Sequence, residues 1–489
     1  GSADDDDFTA SDQCCACAAN DDNCVNDDST TDSEGDTCSS YYDSNPGDCG
    51  SADDDDFTAS EQCCACGGGL PGGTFAPTMV SLTLAGYATA TNVRPHARID
   101  LDMQEFEWKV GEYPTNTAWV EDAMLIYANG GNSVDDSGVI RTLKGFATSG
   151  EAEMTGWTMY SIYYAYWNDY NYADTFITKD YSATVKDAGA SQLIKKGASY
   201  QAVWMYVLHK LESAISGCKA GDSNAVHSWD EGWAYYAGSL VGATAAEAAS
   251  QRGVLLWELA EETANDFGTG HSTGPATANV EALAAAIAGR DDILAATCTG
   301  LADQLKIITK QMTIPLIQST IKYAWRADPA MTGSDCSIAA ALDAMTARDN
   351  CVESWAEGWA FAAAVLPQVD QCDTGVAETL RTNLDIAAAA PMKDGVVAVK
   401  TAIESTYACM GITCADVGAL EGGSAEGTRA CTDFCQNDDS TTDAYGNTCS
   451  TLYEHSPSFC GYYDDEDFTA SLQCCACGGH LGKTFAPTA

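Results

Sequence analysis

Residues 190–217 read ASQLIKKGASYQAVWMYVLHKLESAISG, and this stretch decides the fold class. Its apolar residues recur with the period of one face of an α-helix. The same spacing governs further segments: 117–128 TAWVEDAMLIYA, 244–267 TAAEAASQRGVLLWELAEETANDF, 301–312 LADQLKIITKQM and 316–327 LIQSTIKYAWRA. Glycine-rich turns such as NGGNS at 129–133 separate them. The pattern predicts a mainly α protein with a helical array, rather than alternating strands and helices.

The segment 79–110 departs from this pattern. VSLTLAGY at 80–87 and ARIDLDMQEFEWKV at 97–110 show partial alternation of apolar and polar residues. Alternation is typical of a half-buried strand. We therefore expect a strand or two here, or a loop that wraps the helical core.

An internal repeat lies within the helical region. Residues 226–235, VHSWDEGWAY, match residues 352–361, VESWAEGWAF. The match predicts two related helical halves. Because Glu353 replaces His227 and Ala356 replaces Asp230, the halves are not equivalent.

The repeated motif has two different faces when it is placed on a helix. His227 and Glu231 share one face with Ala234, while Trp229 and Trp233 lie on the opposite, apolar face. Small residues on the polar face allow another element to pack closely, which favours burial of the carboxylate. A buried carboxylate needs a partner, and that partner is a metal ion, an arginine or a hydrogen-bond donor.

Paired acidic and imidazole side chains on several helices are typical of a carboxylate-rich metal site. Each motif offers such a pair at i and i+4, and the preceding long helix adds a His-x2-Glu pair. The predicted ligands are His227, Glu231, Glu353, Glu357, His209 and Glu212. This mixture suits iron, manganese or zinc better than copper(I). A buried network without metal and a solvated polar face stay open as alternatives.

Two cysteine-rich modules flank the helical region. Residues 24–66 correspond to residues 435–477 without a gap, at a constant offset of 411. Their CC-x-C spacing lacks the Cys-x2-Cys pairs typical of zinc sites, so we predict disulfides and an extracellular, periplasmic or cell-surface location. Six cysteines allow 15 pairings, among which the sequence does not choose. The module cysteines are Cys24, Cys38, Cys49, Cys63, Cys64 and Cys66 in the first copy, and Cys435, Cys449, Cys460, Cys474, Cys475 and Cys477 in the second.

The predicted domain order follows from these repeats. Residues 1–17 repeat residues 50–66, so we expect a partial module whose upstream part was cleaved or left out, or whose cysteines pair with another chain. The order is then a partial module at 1–17, a module at 24–78, a helical core at 79–422 and a module at 431–489. Eight further cysteines predict four bridges in the core: Cys218, Cys298, Cys336, Cys351, Cys372, Cys409, Cys414 and Cys431.

The charge balance limits the classes of molecule that the protein can bind. The chain carries 71 Asp and Glu against 23 Lys and Arg, a formal net charge of −48, which disfavours nucleic acid and anionic lipid and attracts cations. Acidic runs at 4–7 and 53–56 have the composition of calcium-binding loops but lack their glycine-centred spacing, so calcium in the modules is a weaker prediction. No apolar run reaches the roughly 18–20 residues of a membrane span.

Catalytic motifs are missing from the sequence. We find no nucleophile elbow, no glycine-rich phosphate loop and no HExxH, so we predict no enzyme. A helical metallohydrolase is a lesser alternative, with ligands but no evident base. His96, His455 and His480 stand alone and are expected at the surface.

The central region, roughly 110–420, resembles the algal iron-assimilation family, which includes periplasmic high-CO2-inducible proteins of green algae. The resemblance rests on the (H/E)SW-x-EGWA(Y/F) motif, on YANGGNS at 127–133 and on the long helical stretch with interspersed cysteines. It implies secretion, induction under iron limitation, and iron binding or delivery to surface uptake machinery.

The CC-x-C module resembles one that is abundant in secreted proteins of stramenopile algae. This second resemblance implies attachment to cell-wall, matrix or surface components. The main functional hypothesis is a metal-binding, iron-assimilation protein. The alternative is a structural or adhesive protein that forms a coat or filament, as a homo-oligomer, through its modules.

Overall fold

The computed structural model describes residues 24–26, 28, 30–54, 57–66, 70–71, 83–112, 115–270, 274–333, 351–388, 390–423, 427–428, 431, 439–453, 456, 459–465, 467–474 and 477. The expected surface histidines His455 and His480 lie outside these ranges, as do the module cysteines Cys435 and Cys475. Contacts divide the chain into two compact units, Gly1–Val80 and Ser81–Ala489.

The first unit is a small disulfide-rich module. Strand β1 (Cys24–Val25) pairs antiparallel with β2 (Leu70–Pro71), and a single-turn helix α1 covers Ala59–Gln62. The bridges Cys38–Cys63 and Cys49–Cys66 hold it together. Its core is small, which is why such modules depend on cross-links. The buried core residues are Cys38, Tyr42, Phe57, Ala59 and Cys63.

The second unit is helical, with one short antiparallel hairpin of β3 (Thr83–Leu84) and β4 (Tyr87–Ala88). Its helices are α2 Arg94–Ala97, α3 Ile99–Gly111, α4 Trp119–Asn129, α5 Leu143–Thr148, α6 Thr158–Trp167, α7 Tyr172–Thr178, α8 Ser182–Gly197, α9 Trp204–Ala220, α10 Ala225–Ala237, α11 Ala245–Ala248, α12 Leu256–Phe267, α13 Thr277–Leu294, α14 Leu301–Ala327, α15 Pro329–Thr332, α16 Cys351–Cys372, α17 Thr374–Leu384, α18 Gly395–Glu404, α19 Tyr407–Met410, α20 Cys414–Val417 and α21 Ala470–Gln473. The mainly α class with flanking disulfide-rich modules is confirmed.

The stretch 190–217 forms the central helices. Helix α8 runs through a buried π-helical turn, Ala198–Val203, directly into α9. Helix α9 ends at Gly221, whose φ of 74° is the left-handed conformation that glycine adopts without steric cost. The short turn that follows returns the chain into α10, so that α9 and α10 form a helical hairpin.

The two motif helices occupy similar surroundings. Trp229 of α10 donates from its indole nitrogen to the Ala286 carbonyl of α13 at 2.9 Å. The matching Trp355 of α16 donates to the Leu384 carbonyl of α17 at 2.8 Å. Helix α10 packs against α9, as α16 packs against α14. These parallels fit two related halves, and the duplication itself stays a prediction.

The prediction for 97–110 was wrong. This segment is helix α3, and only two residues on each side of the turn near Gly86 pair as strands. Four apolar residues of α3 are buried, and their spacing of four, three and four positions is helical rather than alternating. They are Ile99, Met103, Phe106 and Val110.

Disulfides also tie together the second unit. In the core, Cys218–Cys298, Cys372–Cys409 and Cys414–Cys431 are bridged, and Cys351 is disulfide-bonded. In the C-terminal module the bridges Cys449–Cys474 and Cys460–Cys477 repeat those of the first unit. Among the described helices, none has the length and apolarity that crossing a membrane demands.

Candidate metal centre

Helix α10 presents Glu231 to Lys210 of α9 and His227 to His96 of α2. A Cβ at Gly232 would lie 2.7 Å from Leu211 of α9, so the glycine permits this close approach of the two helices. Glu231 is consequently almost fully buried, with 3% of its surface exposed, while His227 is 20% exposed. The small residues of the motif thus bring a carboxylate into the interior.

Cationic side chains of the protein neutralise Glu231. Lys210 of α9 lies 2.8 Å from Oε2, and Arg141 lies 3.1 Å from Oε1. Burial acts to raise the pKa of Glu231, but the hydrogen bond from His96 and the charge of Lys210 outweigh it and lower the pKa to about 2. Glu231 is therefore an ionised carboxylate with both oxygens engaged.

His96 is the residue whose placement departs most from expectation. It lies on α2 and is 1% exposed, so the prediction of a surface position was wrong. Its ring centroid is 5.3 Å from that of His227. The YANGGNS segment holds it in place, because the Ser133 hydroxyl donates to the His96 carbonyl at 3.1 Å.

Asp136 completes the group from the loop that follows YANGGNS. Its carboxylate lies 3.3 Å from Nε2 of His96 and 3.3 Å from Nε2 of His227. Of the residues that the structure describes, these three form the one group of potential metal ligands, with donor atoms within 4.8 Å of one another. Asp136 is 68% exposed, so the group opens to solvent on its side.

Hydrogen bonds to Nδ1 determine the tautomer of His96. Nδ1 lies 3.1 Å from Glu231 Oε1 and 3.1 Å from the Tyr235 hydroxyl, which itself donates to Glu231 at 3.4 Å. Both partners can therefore only accept from Nδ1, which carries a proton. Nε2, on the other side of the ring, faces the Asp136 carboxylate at 3.3 Å.

The same reasoning applies to His227. Its Nδ1 lies 3.1 Å from the Thr91 hydroxyl, whose own proton is donated to Asp230 at 2.8 Å. Thr91 therefore accepts from Nδ1, and Nε2 faces the second Asp136 oxygen at 3.3 Å. Asp230 is fully buried and accepts further hydrogen bonds from Tyr87 and from the backbone of residues 90 and 91.

Two imidazole nitrogens and one carboxylate thus converge on the same small volume, where either a proton on Nε2 or a metal ion balances the charge of the carboxylate. Histidine ligands of metal sites characteristically donate their other ring N–H to an oxygen partner, as both rings do here. Neighbouring donors at about 2.1 Å from one ion lie about 3 Å apart. Each Nε2 lies 3.3 Å from an Asp136 oxygen, which is close to that spacing. The residues present fit a metal of the iron, manganese and zinc class.

The second motif does not join this group. Glu353 and Glu357 are half-buried on α16 near Lys195 and Lys196 of α8. Burial, and then the charge of Glu357, raises the pKa of Glu353. Burial acts to lower the pKa of Lys196, but the surrounding charges, Glu357 first, raise it overall. Here carboxylates and lysines compensate one another.

His209 and Glu212 have their partners outside the candidate group. Nε2 of His209 lies 3.4 Å from Glu153, and its buried Nδ1 has no hydrogen-bond partner. Glu212 accepts from the backbone N–H groups of Thr158 and Met159 at 3.1 and 3.4 Å. It therefore caps the first turn of α6, where a carboxylate stabilises a helix.

The described residues of the acidic run in the first module also accept hydrogen bonds from nearby backbone N–H groups. Asp53 accepts from the backbone of Ala59 at 2.9 Å and Asp54 from Phe57 at 3.1 Å. Residues 4–7, 55 and 56 lie outside the described residues. Calcium binding in the modules stays a prediction.

Sequence reasoning missed His96 and Asp136 for different reasons. Asp136 stands three residues after YANGGNS, and that proximity could have singled it out. His96 has no local pattern, because its partners come from distant parts of the chain. The compensating cations Arg141 and Lys210 also carry no recognisable spacing.

Comparison with known proteins agrees with the resemblance noted in the sequence. No curated protein and no solved structure matches this chain. A profile of the low iron-inducible periplasmic proteins matches residues 62–436, which is most of the chain and includes every residue of the candidate centre. The many disulfides agree with an extracellular or periplasmic location. The chain belongs to the low iron-inducible periplasmic protein family.

Proposed function

We propose that this protein binds iron outside the cytoplasm, at the group formed by His96, Asp136 and His227, and so serves iron assimilation. The observation that carries the proposal is that Nε2 of both His96 and His227 lies 3.3 Å from the Asp136 carboxylate, while each Nδ1 is engaged by another partner. Two histidines and one carboxylate with open positions form the donor set that non-haem iron sites use.

The surroundings of the group suit capture of a metal ion from solution. Asp136 lies at the surface, so an ion can enter without opening the helical core. The net charge of −48 raises the local concentration of cations. Glu231, Thr91 and Asp230 orient the rings and need not touch the ion.

The role proposed is binding rather than catalysis. Iron is the cargo, and the side chains around it supply orientation and charge. The resident cations Arg141 and Lys210 are occupied by Glu231 and hold that carboxylate behind the His96 ring, away from the ion. Glu353, Glu357, His209 and Glu212 are not ligands in this proposal.

Metal titration of the purified full-length chain tests the proposal. After chelation, Fe(II) under nitrogen, Fe(III) citrate, Mn(II) and Zn(II) are titrated by calorimetry, and bound metal is counted by elemental analysis. We expect one iron per chain, and a loss of affinity of roughly 100-fold or more in His227→Ala and Asp136→Asn.

A matched control is His209→Ala, which removes another buried histidine that lies outside the group. It should keep full affinity. If the wild-type chain holds no metal after titration, or if His209→Ala loses as much affinity as His227→Ala, the proposal is wrong and the cluster is an ion-pair network.

A further inference from the structure

The two cysteine-rich modules are built alike inside. Both contain bridges that span 25 and 17 residues. In the first, the Tyr42 hydroxyl donates to buried Asp32 at 2.7 Å, and in the second Tyr453 donates to Asp443 at 2.9 Å. Each of these tyrosines stacks on a phenylalanine, at 5.6 and 5.5 Å. The modules therefore serve as internal controls for each other.

Four of the positions at which the two modules differ share one kind of change. At the offset of 411, an acidic or small side chain of the first module is replaced by an aromatic ring in the second. We call these four rings the aromatic patch. The pairs are Glu34 and Tyr445, Asp48 and Phe459, Ser51 and Tyr462, and Ala52 and Tyr463.

The rings of the patch are neighbours and face solvent. Tyr463 contacts Tyr445 with a centroid distance of 5.0 Å and Phe459 with one of 5.6 Å. Tyr462 follows in the chain, and its N–H donates to the Phe459 carbonyl at 3.0 Å. Tyr445 and Tyr462 are 76% and 77% exposed.

Folding of the module does not explain these rings. The backbone contact beneath them, from Ala444 N–H to the Tyr463 carbonyl at 3.3 Å, recurs in the first module from Ser33 to Ala52 at 3.0 Å. The first module thus forms the same turn with alanine in place of tyrosine. An exposed aromatic cluster that the fold does not require points to an interaction surface.

The charge around the patch limits its partner. No lysine or arginine occurs between Arg429 and Lys483. Exposed Asp464, Asp465 and Asp467 follow Tyr463 directly. Anionic lipid headgroups, nucleic acids and sulfated or uronic polymers would be repelled. The partner that fits is uncharged and offers apolar surface together with hydroxyl groups for the carboxylates.

A second copy of the chain is a poorer fit. The partly covered rings expose on the order of 400 Å² together, since a fully buried aromatic side chain covers about 150–250 Å². A stable protein interface needs about 800 Å² from each partner. The patch is therefore too small to hold a dimer alone.

We propose that the aromatic patch binds an uncharged polysaccharide of β-linked glucose. Each ring of such a chain has two flat faces, because its hydroxyls are equatorial and its axial C–H groups are exposed on both sides. These C–H groups stack on aromatic rings, whose faces carry negative charge. Oδ1 of Asp464 and of Asp465 accepts from the backbone of Ala470 and Phe468. The hydroxyls at the sugar edge donate to the Oδ2 atoms of the same two carboxylates. The site is independent of the candidate metal centre.

Binding of the full-length chain to insoluble polysaccharides tests this proposal. Cellulose and a linear β-1,3-glucan are the probes, and sedimentation measures the bound fraction. The test variant carries Tyr445→Glu, Phe459→Asp, Tyr462→Ser and Tyr463→Ala, the residues that the first module itself tolerates. We expect retention of the wild type on at least one glucan and a roughly tenfold weaker affinity in the variant.

The reciprocal variant carries Glu34→Tyr, Asp48→Phe, Ser51→Tyr and Ala52→Tyr, and it should gain affinity because it has two patches. Unchanged circular dichroism and elution volume establish that each variant is folded. Failure of the wild type to bind either glucan overturns the proposal. So does equal binding by the variant, and so does binding to phosphatidylserine vesicles or concentration-dependent dimerisation in place of glucan binding.

Discussion

The carboxylate of Glu231 lies 3.1 Å from Nδ1 of His96, on the opposite side of the ring from the proposed metal position. The same carboxylate is held by Lys210 from α9 and by Arg141 from the loop before α5. One side chain therefore links the motif helix, the neighbouring helix and a ligand of the group. Loss of its charge should act on both metal binding and stability.

Glu231→Gln should weaken iron binding by about 10–100-fold, because the orienting carboxylate of His96 is lost. It should also lower the free energy of unfolding by roughly 3 kcal/mol, since Lys210 and Arg141 remain without a counter-charge. Calorimetric titration and urea denaturation measure the two effects. Glu357→Gln, at the matching position of the second motif, is the control and should leave iron affinity unchanged. Equal losses in both variants would contradict the assignment of the site.

Gly232→Ala should destabilise the helical unit by about 1–3 kcal/mol, because the new methyl group overlaps Leu211, which is itself buried. Gly358→Ala is the matched control. There the nearest atom, in Leu384, is 3.1 Å away. Both substitutions gain about 1 kcal/mol in helix propensity, and this gain offsets the smaller overlap at position 358 but not the larger one at position 232. Thermal denaturation followed by circular dichroism compares the two. If Gly358→Ala is the more damaging substitution, the packing argument fails.

The helical array could be predicted because each helix carries its own periodicity. Helix α3 shows the limit of that approach, since charged residues between Ile99 and Val110 produced a false alternation while the buried positions followed a helical period. The candidate site was harder to predict from the sequence. Its two histidines come from separate helices, and only the fold brings them together.

The burial of Glu231 follows from local sequence, whereas its neutralisation does not. Gly232 and Ala234 allow α9 to approach, and that feature is visible in the motif. The choice between a metal and protein cations depends on Lys210 and Arg141, whose positions are set by other elements. Sequence alone therefore left open whether a metal ion or protein cations neutralise Glu231. In the structure its carboxylate contacts the cations Lys210 and Arg141.

Glu258 should make stability depend on pH in the metal-free chain. Burial, aided by the charges of Glu262 and Glu261 and opposed by Arg252, raises its pKa to about 7. The pKa of an unfolded glutamate is about 4.3. A raised folded pKa means that the stabilising contribution is present below about 4.3 and is lost as pH rises to about 7.

Glu258→Gln should therefore match the wild type near pH 4 to 5 and exceed it near pH 8, by about 1 kcal/mol after solvent screening. Urea denaturation at several pH values in the presence of a chelator measures the difference. The exposed Glu105→Gln on α3 is the control and should show no such divergence. A constant difference across this pH range would show that Glu258 does not titrate in it.

Removal of the Cys218–Cys298 bridge should destabilise the helical unit more than removal of any short bridge. It closes a loop of 80 residues and ties the end of α9 to the segment before α14. Loop-closure entropy predicts a loss of about 4 kcal/mol for a double alanine variant, within the usual range of about 2–5 kcal/mol.

The helical signal in circular dichroism reports the second unit, because α1 is the one described α-helix of the first unit. Cys49→Ala with Cys66→Ala, which opens a loop of 17 residues in the first unit, should leave that helical transition in place. A fall of the helical melting temperature in this control equal to that of the Cys218 and Cys298 variant would mean that the two units unfold together.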